Sequence, residues 1–142
     1  MRNSCILVIA AALALSACST TGQDASSVGN AAPATLQGGE WTVEDIGGRG
    51  IIDNSHVTLH FGSDGALAGS ATCNRLIATY AAKDSSLTII PSGLTMMACP
   101  AALMVKERRF VDLLNEVKRF RIDETGALVL ETAGGKTITA RR

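Results

Sequence analysis

Net charge is missing from this chain. Thirteen basic residues balance 13 acidic ones over 142 positions. No excess of positive charge is available to neutralise a polyanion, which argues against nucleic acid as a partner and against strong electrostatic docking on a membrane. Aromatic residues are scarce, at one Trp, one Tyr and three Phe, so a core must be built from aliphatic side chains. The only histidines are His56 and His60. A phosphate-binding glycine loop, a dinucleotide-fold glycine pattern and a GxSxG elbow are all absent, which removes the commonest sequence routes to nucleotide binding and serine hydrolysis. The longest apolar run, Cys5 to Leu15, holds 11 residues. A membrane-spanning helix needs roughly 20.

That run has another reading. It follows Arg2 and ends at Leu15-Ser16-Ala17-Cys18, so residues 1–17 have the basic start, short apolar stretch and small-residue cut site of a secretory signal peptide. Leu-Ser-Ala-Cys resembles the lipobox of bacterial lipoproteins. The resemblance implies cleavage before Cys18, a thioether-linked diacylglycerol on its sulfur, and often a third, palmitate-like acyl chain. Each buried CH₂ is worth roughly 0.8 kcal/mol, so two or three chains hold far more firmly than one. The expected partner at this end is the membrane, reached through the lipid anchor. Ser19 is not acidic, which in Gram-negative lipoproteins permits transfer to the outer membrane, on the periplasmic side. Residues 18–35 then form a lipidated tether. They are rich in Ser, Thr, Ala, Gly and Asn, with Val28 the only larger aliphatic, and cannot bury enough surface to fold.

Residues 36–142 are expected to form one domain of ordinary size. Losing Arg2 takes the 13 basic residues to 12, against 13 acidic ones. Trp41, Val43 and Ile46 alternate with Thr42 and Glu44, the pattern of a half-buried strand. Val57, Leu59 and Phe61 alternate likewise, and Gly62-Ser63-Asp64-Gly65 is a hairpin turn into Ala66–Ala71. A short strand is expected through Ile77 and Tyr80, then Leu87–Ile90, stopped by Pro91. Pro100 suits a first helical turn. Leu103, Glu107, Phe110, Leu114 and Val117 follow at helical spacing, widened by Leu113, so an amphipathic helix is expected over about residues 100–117. Arg119–Ile122, Ala127–Glu131 and Lys136–Thr139 read as three closing strands. The fold class is therefore α+β, a curled, barrel-like antiparallel sheet with one helix.

Few residues offer chemistry. With Cys5 in the leader and Cys18 lipidated, Cys73 and Cys99 remain. Two cysteines in an exported domain ordinarily form a disulfide, and closing 26 positions would stabilise by about 3.5 kcal/mol in the loop-entropy model. Two unpaired buried thiols or a reactive thiol are the alternatives, but neither a CxxC spacing nor a local histidine supports the last. His56 and His60 match a zinc-pair spacing only on a helix. On a strand they lie about 13 Å apart, so they are read as solvent-facing and no metal is expected. Glu107 interrupts the apolar stripe and is read as salt-bridged or partly exposed, with a buried partner for an arginine or for backbone amides, or a catalytic acid, as alternatives. Lys106, Arg108, Arg109, Lys118, Arg119 and Arg121 are interleaved with Glu107, Asp112 and Glu116 and read as a solvated face, with an anion site as the alternative. Met96, Met97, Leu103 and Phe110 are candidate lining for a pocket between sheet and helix.

Gly39-Glu40-Trp41, the alternating strand ending in Phe61, Cys73-Asn74, Tyr80, Thr95-Met96-Met97-Ala98-Cys99, Glu107 and Leu128-Val129-Leu130 together resemble the META (HslJ-like) domain family over nearly all of residues 36–142. Thr72 departs from the family's usual Gly before Cys-Asn, and Phe120 from its common Tyr. The resemblance implies a β-rich fold with a helix, frequent occurrence as envelope lipoproteins, and links to heat stress, novobiocin tolerance and parasite virulence. It implies no established catalysis. The expectation is a non-catalytic envelope lipoprotein without a cofactor, acting through an envelope protein partner. A module for a small hydrophobic ligand or acyl chain is the alternative, and a thiol-dependent enzyme the weakest one.

Overall fold

The computed structural model describes residues 35–51 and 55–142. The leader, Cys18 and the tether up to residue 34 lie outside the described residues. Eight strands form a closed barrel in chain order: β1 (Glu40–Ile46), β2 (His56–Phe61), β3 (Ala66–Thr72), β4 (Arg75–Lys83), β5 (Ser86–Leu94), β6 (Val117–Ile122), β7 (Leu128–Thr132) and β8 (Thr137–Arg141). Each is antiparallel to the next, and β8 returns to β1, with Ile46 opposite Ile138. The helix α1 (Ala101–Glu116) is inserted between β5 and β6.

Alternation decides which side chains fill the barrel. Trp41, Val43, Val57, Leu59 and Phe61 point inward and are buried, as their spacing predicts. β4 is longer than expected. Leu76, Ala78, Tyr80 and Ala82 face the core while Ile77 is 55% exposed, because residues an odd number apart on a regular stretch of strand point to opposite faces. β5 does not stop at Pro91. Pro91 pairs with Ala78 at a register shift between Ile77 and Ala78, and proline is tolerated at such bulges. On the other edge of β5 the register to β6 is Ser86 opposite Arg119, so beyond it Pro91 owes no ladder bond to a neighbour. There the helix packs instead.

β3 carries Gly69 for a steric reason. A Cβ on Gly69 would lie 1.9 Å from the Thr58 carbonyl oxygen, and the buried Thr58 hydroxyl accepts the Ser70 N–H at 3.2 Å. The two backbones can approach this closely only over glycine.

The two barrel ends are closed differently. Where the chain enters, Trp41 donates its indole N–H to the Leu36 carbonyl at 2.9 Å, with the Arg142 guanidinium 4.1 Å from its ring centre. Tyr80 donates to the Gly62 carbonyl at 2.6 Å and packs edge-on against Phe61. The opposite end is closed by α1, which buries Glu107, Phe110, Leu113 and Leu114. Pro100 is the residue before the helix, with φ −52° and ψ 140°, and its carbonyl accepts from Leu103 and Met104 N–H groups. Val117 is buried but already extended, the first residue of β6. The tether side and the helix therefore lie at opposite ends.

Candidate functional site

Part of the set that carried the resemblance, namely Cys73, Asn74, Thr95–Cys99 and Glu107, converges on the helix end. Asn74 sits in the turn between β3 and β4, and Thr95–Cys99 link β5 to α1. Glu107 reaches in from the second turn of the helix. Its two carboxylate oxygens accept the Asn74 backbone N–H at 2.7 Å and the Asn74 side-chain N–H at 3.0 Å. The Asn74 amide oxygen in turn accepts the Thr95 hydroxyl at 3.1 Å and the Met97 N–H at 2.7 Å. Thr95 also takes the Arg75 N–H at 2.9 Å and returns its own N–H to the Arg75 carbonyl at 3.1 Å. Asn74 and Glu107 are 4% exposed, so each of these groups exchanged water for a protein partner.

Glu107 is thus neither salt-bridged nor partly exposed, contrary to the favoured sequence expectation. Its partner is an amide pair 33 positions away. Doubly accepting from N–H donors satisfies a buried carboxylate without a cation.

A disulfide joins Cys73 to Cys99 across the same junction, with Cα atoms 6.3 Å apart. Thr72 keeps a backbone φ of 92°, a region that favours glycine, and its hydroxyl donates to the Leu103 carbonyl at 3.2 Å. Disulfide, carboxylate clamp and this hydrogen bond all fasten the β3–β4 turn to the start of the helix.

The four candidate pocket residues are not brought together. Phe110 is fully buried in the barrel core, whereas Met96 is 96% and Met97 58% exposed. Leu103 is partly buried where its carbonyl receives Thr72. The space between sheet and helix is filled by Phe110, Leu113 and Leu114 together with inward strand residues.

Two surface clefts flank the clamp. One, of about 650 Å³, lies over β2 and β3 and is lined by Glu40, His56, His60, Ser70, Arg75 and Met97 among others. His56 and His60 are both exposed there, with Glu40 opposite His60 across the strands. The other, of about 880 Å³, runs along the outer face of α1 from Cys99 past Met104 and Val105 to Arg108, Arg109, Asp112 and Glu116. Arg49 and Lys136 close it from neighbouring loops. Asp45 shapes the first of those loops by accepting the Gly48 and Gly50 N–H groups at 2.7 and 2.8 Å. Lys106 and Arg109 then donate to the Gly50 and Gly47 carbonyls at 2.6 and 3.2 Å. Gly47, with φ 65°, also makes room, since a Cβ there would meet Arg109 Nη2 at 2.8 Å. Sequence reasoning missed Arg49 and Lys136 because both stand in turns far from the helix in the chain. The Gly47-Gly48-Arg49-Gly50 run was their only local signal.

Solved structures share the fold. An NMR structure of a protein from Burkholderia xenovorans is similar at a TM-score of 0.61 and 23% identity, covering 77% of this chain and 86% of that one. A second NMR structure is similar at 0.56 and 26% identity, covering 77% and 92%. The crystal structure of a DUF4847 family protein from Bacteroides vulgatus is similar at 0.53 and 18% identity, covering 74% and 92%. No curated protein matches the chain. The META domain model matches residues 34–142, and the chain belongs to the META domain family.

Proposed function

We propose that this is a cell-envelope lipoprotein whose META domain is a non-catalytic module held near the bilayer by a lipid on Cys18. The observation that carries the non-catalytic part is the full internal use of the signature residues. Glu107, Asn74 and Thr95 are spent on one another, and Cys73 and Cys99 are oxidised together. A general acid or a nucleophile must be free to meet a substrate, and these groups are occupied. The anchor rests on the sequence of residues 1–18. Leu36, near the start of the described chain, packs at the end opposite α1, which supports a helix end turned away from the anchoring membrane, toward the periplasm in a Gram-negative host, where an envelope protein partner could meet it.

The test is metabolic labelling with a clickable palmitate analogue. The wild-type chain should take up label and sediment with membranes. Cys18→Ala should lose both properties while keeping the melting temperature of the folded part. A wild-type chain that stays unlabelled would remove the anchor from this account.

A further inference from the structure

The cleft along α1 is graded in a way that neither the fold nor the clamp requires. Its first helical turns present Met104, 38% exposed, and Val105, 71% exposed, beside the Cys99 end of the disulfide. One turn further on stand Arg108 and Arg109, and Arg49 and Lys136 line the same groove from two separate loops. Beyond them come Asp112 and Glu116. Apolar, cationic and acidic zones thus follow one another along a single groove.

None of the four cations has an ion-pair partner among the described residues. Arg108, Lys136 and Arg49 are exposed. Arg109 is held differently. Its Nη2 is fixed on the Gly47 carbonyl, and its Nε is buried without an acceptor among the described residues. A guanidinium held this way is already ordered before any anion arrives, which lowers the entropic cost of binding one. Four cations stand against two carboxylates around this groove, in a chain with no net charge, and this local excess favours a negative ligand at this position.

We infer that this groove binds a single-chain amphipathic anion, its carboxylate or phosphate head between Arg108, Arg109, Arg49 and Lys136 and its tail over Val105 and Met104. The volume of about 880 Å³ lies within the roughly 300–1,000 Å³ typical of small-molecule sites. Asp112 and Glu116 set the direction. They repel the head from the far end of the groove, so the tail must run toward the disulfide. Methionine suits a tail of variable length because its unbranched side chain adapts its shape. This occupant differs from a ligand between sheet and helix, where the core leaves no room. The inference adds a ligand class to the module proposed above and is independent of its anchoring.

The test uses the mature chain with Cys18→Ala, so that no attached acyl chain competes and failure of the anchor is scored separately. Isothermal titration calorimetry is run with dodecanoate and dodecyl phosphate below their micelle concentrations, with dodecyltrimethylammonium and inorganic phosphate as comparisons. One anion per chain should bind, and neither comparison should match it. Preference for dodecanoate identifies a fatty-acid-type head, preference for dodecyl phosphate a phospholipid-derived one, and either supports the inference. Arg108→Glu combined with Lys136→Glu should weaken binding by roughly tenfold or more, as should Val105→Asp through the tail. These residues are exposed, so the melting temperature should hold in both variants. The inference is overturned if neither anion binds, if the cationic amphiphile binds as well, or if the charge reversal leaves affinity unchanged.

Discussion

Glu107→Gln keeps the size of the side chain and exchanges one acceptor oxygen for a donor. In the native clamp Oε2 accepts the Asn74 backbone N–H at 2.7 Å and Oε1 accepts the Asn74 side-chain N–H at 3.0 Å. Glutamine has one oxygen. Whichever way its amide turns, an N–H meets an N–H in a site 4% exposed. Asn74 cannot relieve this by flipping, because its own oxygen is engaged by Thr95 and the Met97 N–H. A hydrogen bond to a charged group contributes about 1.5–3 kcal/mol, and a stranded buried donor costs about 1–3 kcal/mol. With the surviving bond also weakened, the expected loss is on the order of 3 kcal/mol. At about 4–8 °C per kcal/mol for a domain near this size, the melting temperature should fall by roughly 12–24 °C. Thermal unfolding followed by circular dichroism reads this directly. Glu116→Gln on the exposed face of the same helix should change stability by less than about 0.5 kcal/mol. A Glu107→Gln protein melting within roughly 2 °C of wild type would refute the reasoning.

Cys99→Ser should cost about 3.5 kcal/mol for a closure of 26 positions; reductant should destabilise the wild type alike and leave the variant unmoved in urea unfolding. Gly69→Ala should lose roughly 3 kcal/mol or more, since its Cβ would fall 1.9 Å from the Thr58 oxygen; equal urea midpoints would contradict the close approach of β2 and β3. Phe110→Ala should cost about 3–5 kcal/mol and Met96→Ala less than about 0.5 kcal/mol, because the first is fully buried and the second 96% exposed. Asp123 should titrate below the ordinary aspartate value of 3.8, held there first by the Thr125 hydroxyl, then by the Ala127 and Thr125 N–H groups and Arg141. Its folded value is lowered, so its contribution is present above the unfolded value near pH 3.9 and fades as pH falls through the folded one. Carboxyl-detected NMR titration checks the midpoint, and a value at or above 3.8 would contradict it.

Most of the barrel was legible because its signals are local. Alternation at Trp41–Ile46 and His56–Phe61 and the turn at Gly62–Gly65 each need only a few neighbouring residues to be read. Pro91 misled because its tolerance depends on what lies beside β5, which no local pattern reveals. The site was less legible. That Cys73 and Cys99 pair could be expected from their number once export was expected, but Glu107 found its partner in an amide 33 residues away. An apolar stripe interrupted by one carboxylate does not say which donors will meet it. Met96 and Met97 look like core residues by composition. In the structure the chain crosses the barrel end there with Met97 contributing its N–H to Asn74, which leaves both side chains outside.

The signature at the helix end is a fastening, in which Asn74 and Glu107 act as one unit. A double-mutant cycle with Asn74→Ala, Glu107→Ala and the combined variant, read by urea unfolding, measures that unit directly. Buried partners in one network should show a coupling of about 1–3 kcal/mol, so the double variant should be much less unstable than the two single losses added together. Strict additivity, with each side chain contributing independently, would contradict the account.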